Sequence, residues 1–139
     1  MTVAEPHGDL SILLVDDDEP FRQVLGWAFR NRGYDVRVAG NYDEAVSSAL
    51  ASAPRFAVVD LRLPGRSGLE LTETIRRINM TTIVVVLTGE RGAAWADEAI
   101  HRGAASYLTK PAEVDEIIAA LNKGQTEQEY GKRNGGLPE

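Results

Sequence analysis

Five short apolar runs alternate along this chain with five segments whose apolar residues recur at helical spacing. That alternation dictates a parallel sheet, because a helix inserted between two strands has to cross over a sheet face before the next strand can pair. The first strand reads Leu10 to Val15, a nearly continuous apolar run of the kind buried on both faces. Phe21, Val24, Leu25, Ala28 and Phe29 then mark a helix, with Asp18 as its cap, Pro20 in its first turn and Gly33 at its stop. Asp35 to Ala39 is a second, weaker strand. Asn41 caps a helix carrying Ala45, Val46, Ala49 and Leu50, which Pro54 ends. Phe56 to Val59 is a third strand and closes at Asp60. A Pro-Gly loop leads to a helix with Leu69, Leu71, Thr72, Ile75 and Ile78. Thr82 to Leu87 is the strongest strand of all. Trp95, Ala99 and Ile100 mark a fourth helix, whose start is weakened by Gly89 and Gly92 and which ends at Gly103. Ser106 to Leu108 is a short fifth strand, and the last helix carries Val114, Ile117, Ile118 and Leu121 and stops at Gly124. Such a chain is α/β, with a five-stranded parallel sheet, helices on both faces and right-handed connections.

The 139 residues suit one domain, and 43% hydrophobic residues suffice for a core. Three spans are expected: a disordered N-terminus over residues 1–9, a folded domain over 10–124, and a linker or C-terminal tail over 125–139. The last span holds three glycines, a proline, charges and almost no apolar residues. There is no cysteine, which excludes disulfides, thiolate catalysis and thiolate metal sites. No apolar run reaches the roughly 18 residues that a membrane span needs. The segment from Met1 to Asp9 lacks the basic start and apolar stretch of a signal peptide. A soluble cytoplasmic protein without a membrane partner is expected. The net charge of −6 argues against non-specific nucleic-acid binding by this segment. His7 and His101 lie far apart and form no ligand spacing.

Chemistry concentrates at strand ends. In a parallel α/β sheet, ligands bind outside the carboxyl ends of the strands. Asp16 and Asp17 follow the first strand, Asp60 ends the third, Thr88 ends the fourth and Lys110 follows the fifth. Each alone has a plain reading. The acidic run from Asp16 to Glu19 could be a solvated capping turn, Asp60 a strand end, Thr88 a hydroxyl on nearby backbone, and Lys110 a surface lysine. Their convergence at one sheet edge is the stronger signal. Clustered carboxylates repel, so a cation should accompany them. Oxygen ligands without His or Cys favour a hard ion, and two or three carboxylates with room for water suit Mg²⁺. An EF-hand calcium loop needs a glycine at its sixth position and a glutamate at its twelfth, and the Asp16 loop supplies neither.

Ile12-Leu-Leu-Val-Asp-Asp-Asp18, Val58-Val-Asp-Leu-Arg-Leu-Pro-Gly65, Val86-Leu-Thr-Gly89 and Tyr107-Leu-Thr-Lys-Pro111 together resemble the response-regulator receiver domain of bacterial two-component systems. The resemblance spans about Leu10 to Lys123. It implies a flavodoxin-like (βα)5 doubly wound sheet of order 2-1-3-4-5. It implies that Asp60 is the phosphoacceptor, taking phosphate from a sensor histidine kinase or a small phosphodonor in a phosphorelay. Asp17 would ligate Mg²⁺ with Asp60 and the backbone carbonyl of Arg62, and Asp16 would act through a metal-bound water. Lys110 would supply charge. Thr88 would bond a phosphate oxygen, aided by backbone N–H groups near Arg62 and Gly89, and would act with Tyr107 as a switch. Tyr107 would swing inward after phosphorylation. The Lys110-Pro111 bond would be cis, and Pro64 and Gly65 would shape the loop after Asp60. Such a chain is no enzyme beyond catalysing its own phosphorylation and dephosphorylation.

Ala112, Arg62 and Gly89 depart from common patterns of the family, and Arg62 could tune dephosphorylation. A narrower resemblance, through Leu14-Val-Asp-Asp-Asp-Glu-Pro-Phe21, Phe56-Ala-Val-Val-Asp-Leu-Arg-Leu63 and Val85-Val-Leu-Thr-Gly89, points to redox-responsive global regulators of photosynthetic and related proteobacteria. It implies transcriptional control through a Fis-type helix-turn-helix domain absent from this chain, DNA contact only through that domain, and possible homodimerisation on phosphorylation. Leu137-Pro138-Glu139 could begin the linker. The alternative is a stand-alone receiver acting through protein–protein binding. An aspartyl phosphatase would want a second aspartate where Arg62 stands, and a pseudo-receiver would not keep Asp16, Asp17, Asp60, Thr88 and Lys110 together.

Overall fold

The computed structural model describes residues 9–89 and 93–133. Residues 1–8 of the expected N-terminal segment, Gly92, and the tail from position 134 lie outside the described residues. Five strands form the parallel sheet: β1 (Ser11–Val15), β2 (Asp35–Ala39), β3 (Phe56–Asp60), β4 (Ile83–Thr88) and β5 (Ser106–Thr109). Five helices separate and follow them: α1 (Glu19–Arg30), α2 (Tyr42–Ala51), α3 (Gly68–Ile78), α4 (Ala93–His101) and α5 (Val114–Arg133). Their sheet order is 2-1-3-4-5, as the resemblance implied, and every pairing within it is parallel.

The burial of the strands explains their sequences. β3 and β4 are buried at every position, and β1 at all but its first residue, because helices cover both faces of the central strands. β2 and β5 lie at the edges and are only partly buried. Side chains alternate between two layers. Ile12, Leu14, Phe56, Val58, Val85 and Leu87 pack with Leu25 and Phe29 of α1 and Ile117 and Leu121 of α5. Leu13, Val15, Ala57, Val59 and Val84 face the other way, toward Ala45 of α2 and Leu71 and Ile75 of α3. Full burial of each such aliphatic side chain stabilises the fold by about 2 kcal/mol before entropy is counted.

Caps set the helix starts. Asp18 accepts from the Phe21 N–H at 3.1 Å, Asn41 from Glu44 at 2.9 Å and Ser67 from Leu69 at 3.0 Å. Gly33 and Gly103 take positive φ of 90° and 112° where α1 and α4 turn into the next strand.

Two features differ from the sequence reading. The loop after Asp60 contains a small antiparallel hairpin that pairs Arg62 with Ser67 and Leu63 with Arg66. Gly65 turns it with a φ of 73°. The last helix does not stop at Gly124 but continues to Arg133. Gly124 is buried in its middle, where a Cβ would come within 2.8 Å of both the Ala105 Cβ and the Ile83 Cγ2. The glycine therefore lets α5 approach the sheet closely rather than ending the helix.

Candidate functional site

Strand register brings the polar residues together. Val15 pairs with Val59, so Asp16 and Asp60 leave the sheet side by side. Asp60 pairs with Leu87, one residue before Thr88, and Thr88 pairs with Thr109, one residue before Lys110. Parallel strands thus deliver the chemistry of four separate segments to one edge.

Asp16 is buried and held on every side. Its N–H donates to the Ala39 carbonyl at 3.1 Å. Its carboxylate accepts the Asp18 N–H at 2.9 Å and the Lys110 Nζ at 2.9 Å, on different oxygens. Its main-chain carbonyl accepts from the Arg22 guanidinium at 2.7 Å. Asp17 is exposed. Asp60 is buried; one oxygen accepts the Arg62 N–H at 3.3 Å and the other lies 3.7 Å from Lys110 Nζ. Lys110 also sits over the Phe21 ring, 4.4 Å from its centroid. The Lys110-Pro111 peptide is cis.

Asp16, Asp17 and Asp60 each offer a carboxylate oxygen within 4.8 Å of the others. At an effective dielectric of about 20, two such charges repel by about 3 kcal/mol. Asp60 carries much of the consequence. Burial first, then the Asp16 charge, pushes its carboxyl up to about 6, against the pull of Lys110 and the Arg62 N–H. Burial pulls the Lys110 ammonium down, but its hydrogen bond to Asp16 and the charges of Asp60 and Asp16 outweigh that and hold it raised. Three carboxylates against one ammonium leave an excess of two negative charges. A divalent cation would balance them, and an all-oxygen donor set fits a hard one.

Thr88 is 1% exposed at the end of β4. Tyr107 pairs with Val86 and is half-buried against Leu61, Leu69, Ala99 and Ala104. Arg62 opens the hairpin beside Asp60. The expected site residues therefore lie on the same edge or, for Tyr107, on the strand leading to it.

Sequence reasoning missed two contributors. A lone arginine on a helix, such as Arg22, reads as solvent-facing. Gly68, the first residue of α3, carries no motif of its own, yet a Cβ there would overlap the Asp60 carbonyl oxygen and lie 2.9 Å from its carbonyl carbon. Its N–H donates to the Leu61 carbonyl at 2.7 Å, closing the hairpin loop against β3.

A doubly wound five-stranded sheet with an acidic trio and a lysine at its carboxyl edge defines a class, the signalling receiver domain. The family model described as "Response regulator receiver domain" matches residues 12–122, and the chain belongs to that family. Among curated proteins it is 43% identical over 113 residues to the acid tolerance regulatory protein ActR of Rhizobium meliloti (strain 1021), covering 81% of this chain and 58% of that protein. It is 42% identical over 125 residues to the photosynthetic apparatus regulatory protein RegA of Cereibacter sphaeroides, covering 89% of this chain and 68% of the relative. The chain thus spans less than two thirds of the length of ActR. A solved response regulator from Burkholderia pseudomallei, described with a phosphorylated aspartic acid, a calcium ion and citrate, superposes with a TM-score of 0.81 at 37% identity, covering 93% of this chain and 76% of that one. A CheY-like receiver domain from Methanospirillum hungatei JF-1 shares the fold, with a TM-score of 0.81 at 24% identity, covering 88% of this chain and 98% of that one.

Proposed function

We propose that this domain receives a phosphoryl group on Asp60 from a partner histidine kinase, with Mg²⁺ as cofactor, and passes the signal to a transcriptional output. The observation that carries the reading is the meeting of Asp16, Asp17 and Asp60 around one point, with Lys110 reaching two of them. A carboxylate oxygen of Asp60 would bond to phosphorus as the donor's bond to phosphorus breaks. Lys110 stands where it can neutralise charge on the transferred group, and the Arg62 N–H already orients the Asp60 carboxylate. Thr88, buried at the next strand end, is the candidate hydroxyl for a phosphate oxygen, and Tyr107 the candidate partner in relaying its movement. Asp17 and Asp60, with the Arg62 carbonyl, would hold the Mg²⁺, and Asp16 would act through water. Bound there, the ion would supply positive charge to the equatorial oxygens of a loose transition state.

Likeness to the regulatory proteins ActR and RegA supports a regulatory role. In our proposal that role is transcriptional, exerted through a DNA-binding output domain of the Fis helix-turn-helix kind and accompanied by homodimerisation on phosphorylation. No helix among the described residues is long and apolar enough to cross a membrane. Membership of the receiver family is what supports the proposal that the domain acts in the cytoplasm. The domain would turn over no substrate besides its own phosphoryl group. The test is incubation with MgCl₂ and acetyl phosphate or phosphoramidate, followed by intact mass measurement. A gain of about 80 Da, one HPO₃ group, is expected in the parent and not in Asp60→Asn. A parent chain that gains no mass with any donor sinks the reading.

A further inference from the structure

Arg22 lies one turn into α1, and its side chain folds back to the main chain at the end of β1. It is partly buried, and with Asp16, Phe21 and Asp60 it lines the small cavity beneath the acidic trio. Its Nη1 donates to the main-chain carbonyl of Asp16 at 2.7 Å. That carbonyl belongs to the peptide joining Asp16 to Asp17, so holding it sets the direction from which Asp17 departs. The preceding peptide is held as well, because the Asp16 N–H donates to the Ala39 carbonyl at 3.1 Å.

Space for the guanidinium comes from Gly40, just past β2. A Cβ at Gly40 would lie 3.0 Å from the Arg22 Nη1 and 3.7 Å from its Cζ. Gly40 is not among the glycines with positive φ, so its small size is what the site uses, not its backbone freedom. Its N–H is fixed in turn by the Glu44 carboxylate at 2.7 Å.

We propose that Arg22 is a positioning residue for the cation site, pinning the Asp16–Asp17 peptide so that the exposed Asp17 carboxylate is presented beside those of Asp16 and Asp60. The inference rests on the reading of this trio as a Mg²⁺ site. Two effects of Arg22 on a cation oppose each other. As a positive charge it repels the ion, so removing it should tighten binding. As a positioning group it organises the ligands, so removing it should weaken binding, as loss of an outer-shell partner does in metal sites. The distance of 2.7 Å to a carbonyl that leads directly into Asp17 favours the second.

The sign of the change is the test. The ¹⁵N-labelled chain is titrated with MgCl₂ at constant ionic strength without phosphodonor, following the amides of Asp16, Asp17 and Asp60. Arg22→Met should bind Mg²⁺ about tenfold more weakly than the parent, with Arg22→Lys between the two. Gly40→Val, which displaces the guanidinium but keeps its charge, should weaken binding in the same direction and serves if Arg22→Met folds poorly. Unchanged or tighter binding in Arg22→Met, or in Gly40→Val where that variant serves, overturns the role of Arg22 while leaving the metal site intact. A parent chain whose amides do not respond to Mg²⁺ overturns the metal reading itself, and the role of Arg22 with it.

Discussion

Asp60 is buried, and its carboxyl is raised to about 6, first by that burial and then by the charge of Asp16. A group raised in this way binds its proton more tightly folded than unfolded. Its contribution to stability is therefore fully present below about pH 4 and is lost as pH rises through about 6. The gap from its ordinary value of 3.8 corresponds to at most about 3 kcal/mol. Asp60→Asn has no charge to bury, so without divalent cations its melting temperature should exceed that of the parent by several degrees at pH 7.5. The difference should shrink below pH 5, which thermal denaturation across pH will show. Gly68 makes a prediction of the opposite sign. A methyl group there has to displace the backbone of Asp60, which has no flexible end to yield. Gly68→Ala should lose about 1–3 kcal/mol of stability in urea and most of its Mg²⁺-dependent mass gain with acetyl phosphate.

At the scale of elements, α5 shows how packing can reverse a local preference. Alanine favours a helix interior over glycine by about 1 kcal/mol, and position 124 lies inside a 20-residue helix. Propensity alone predicts that Gly124→Ala stabilises. The added Cβ, however, meets the Ala105 Cβ and the Ile83 Cγ2 at 2.8 Å, and neither can swing away. Gly124→Ala should therefore destabilise by about 1–2 kcal/mol, seen as a lower urea midpoint with an unchanged slope. The hairpin after β3 has its own brace. Arg66 stacks on Tyr42 with 3.8 Å from its guanidinium carbon to the ring centroid and pairs with Glu70 at 3.2 Å, so the loop carrying Arg62 is tied to both α2 and α3.

For the whole molecule, the carboxylate excess couples the sheet edge to global stability. An ion that binds only the folded chain stabilises it by mass action, by about 1.4 kcal/mol at ten times its dissociation constant. Mg²⁺ should thus raise the melting temperature of the parent at pH 7.5, and the rise should largely disappear in Asp17→Asn, as measured by differential scanning calorimetry. Most of the fold was legible in the sequence. Strands covered on both faces need unbroken apolar runs, and Ile83 to Leu87 is such a run. The cap residues Asp18 and Asn41 were legible because capping is a local bond. The hairpin was not, since two-residue strands leave no period to detect. Gly124 was misjudged as a stop because the local rule for glycine knows nothing of Ala105 and Ile83.

The sequence by itself determined the alternation of strand and helix, and with it the arrival of Asp16, Asp60, Thr88 and Lys110 at one edge, because periodicity and strand ends are local properties of the chain. Only the tertiary structure decided what those residues do to one another. The Lys110–Asp16 bond joins positions 94 residues apart, Arg22 turns back beneath the acidic trio, and Gly68 admits the backbone of Asp60. The raised carboxyl of Asp60 follows from its burial and from charges on other segments. Distances and dielectric surroundings arise only when the segments pack, and they turn a row of carboxylates into a site.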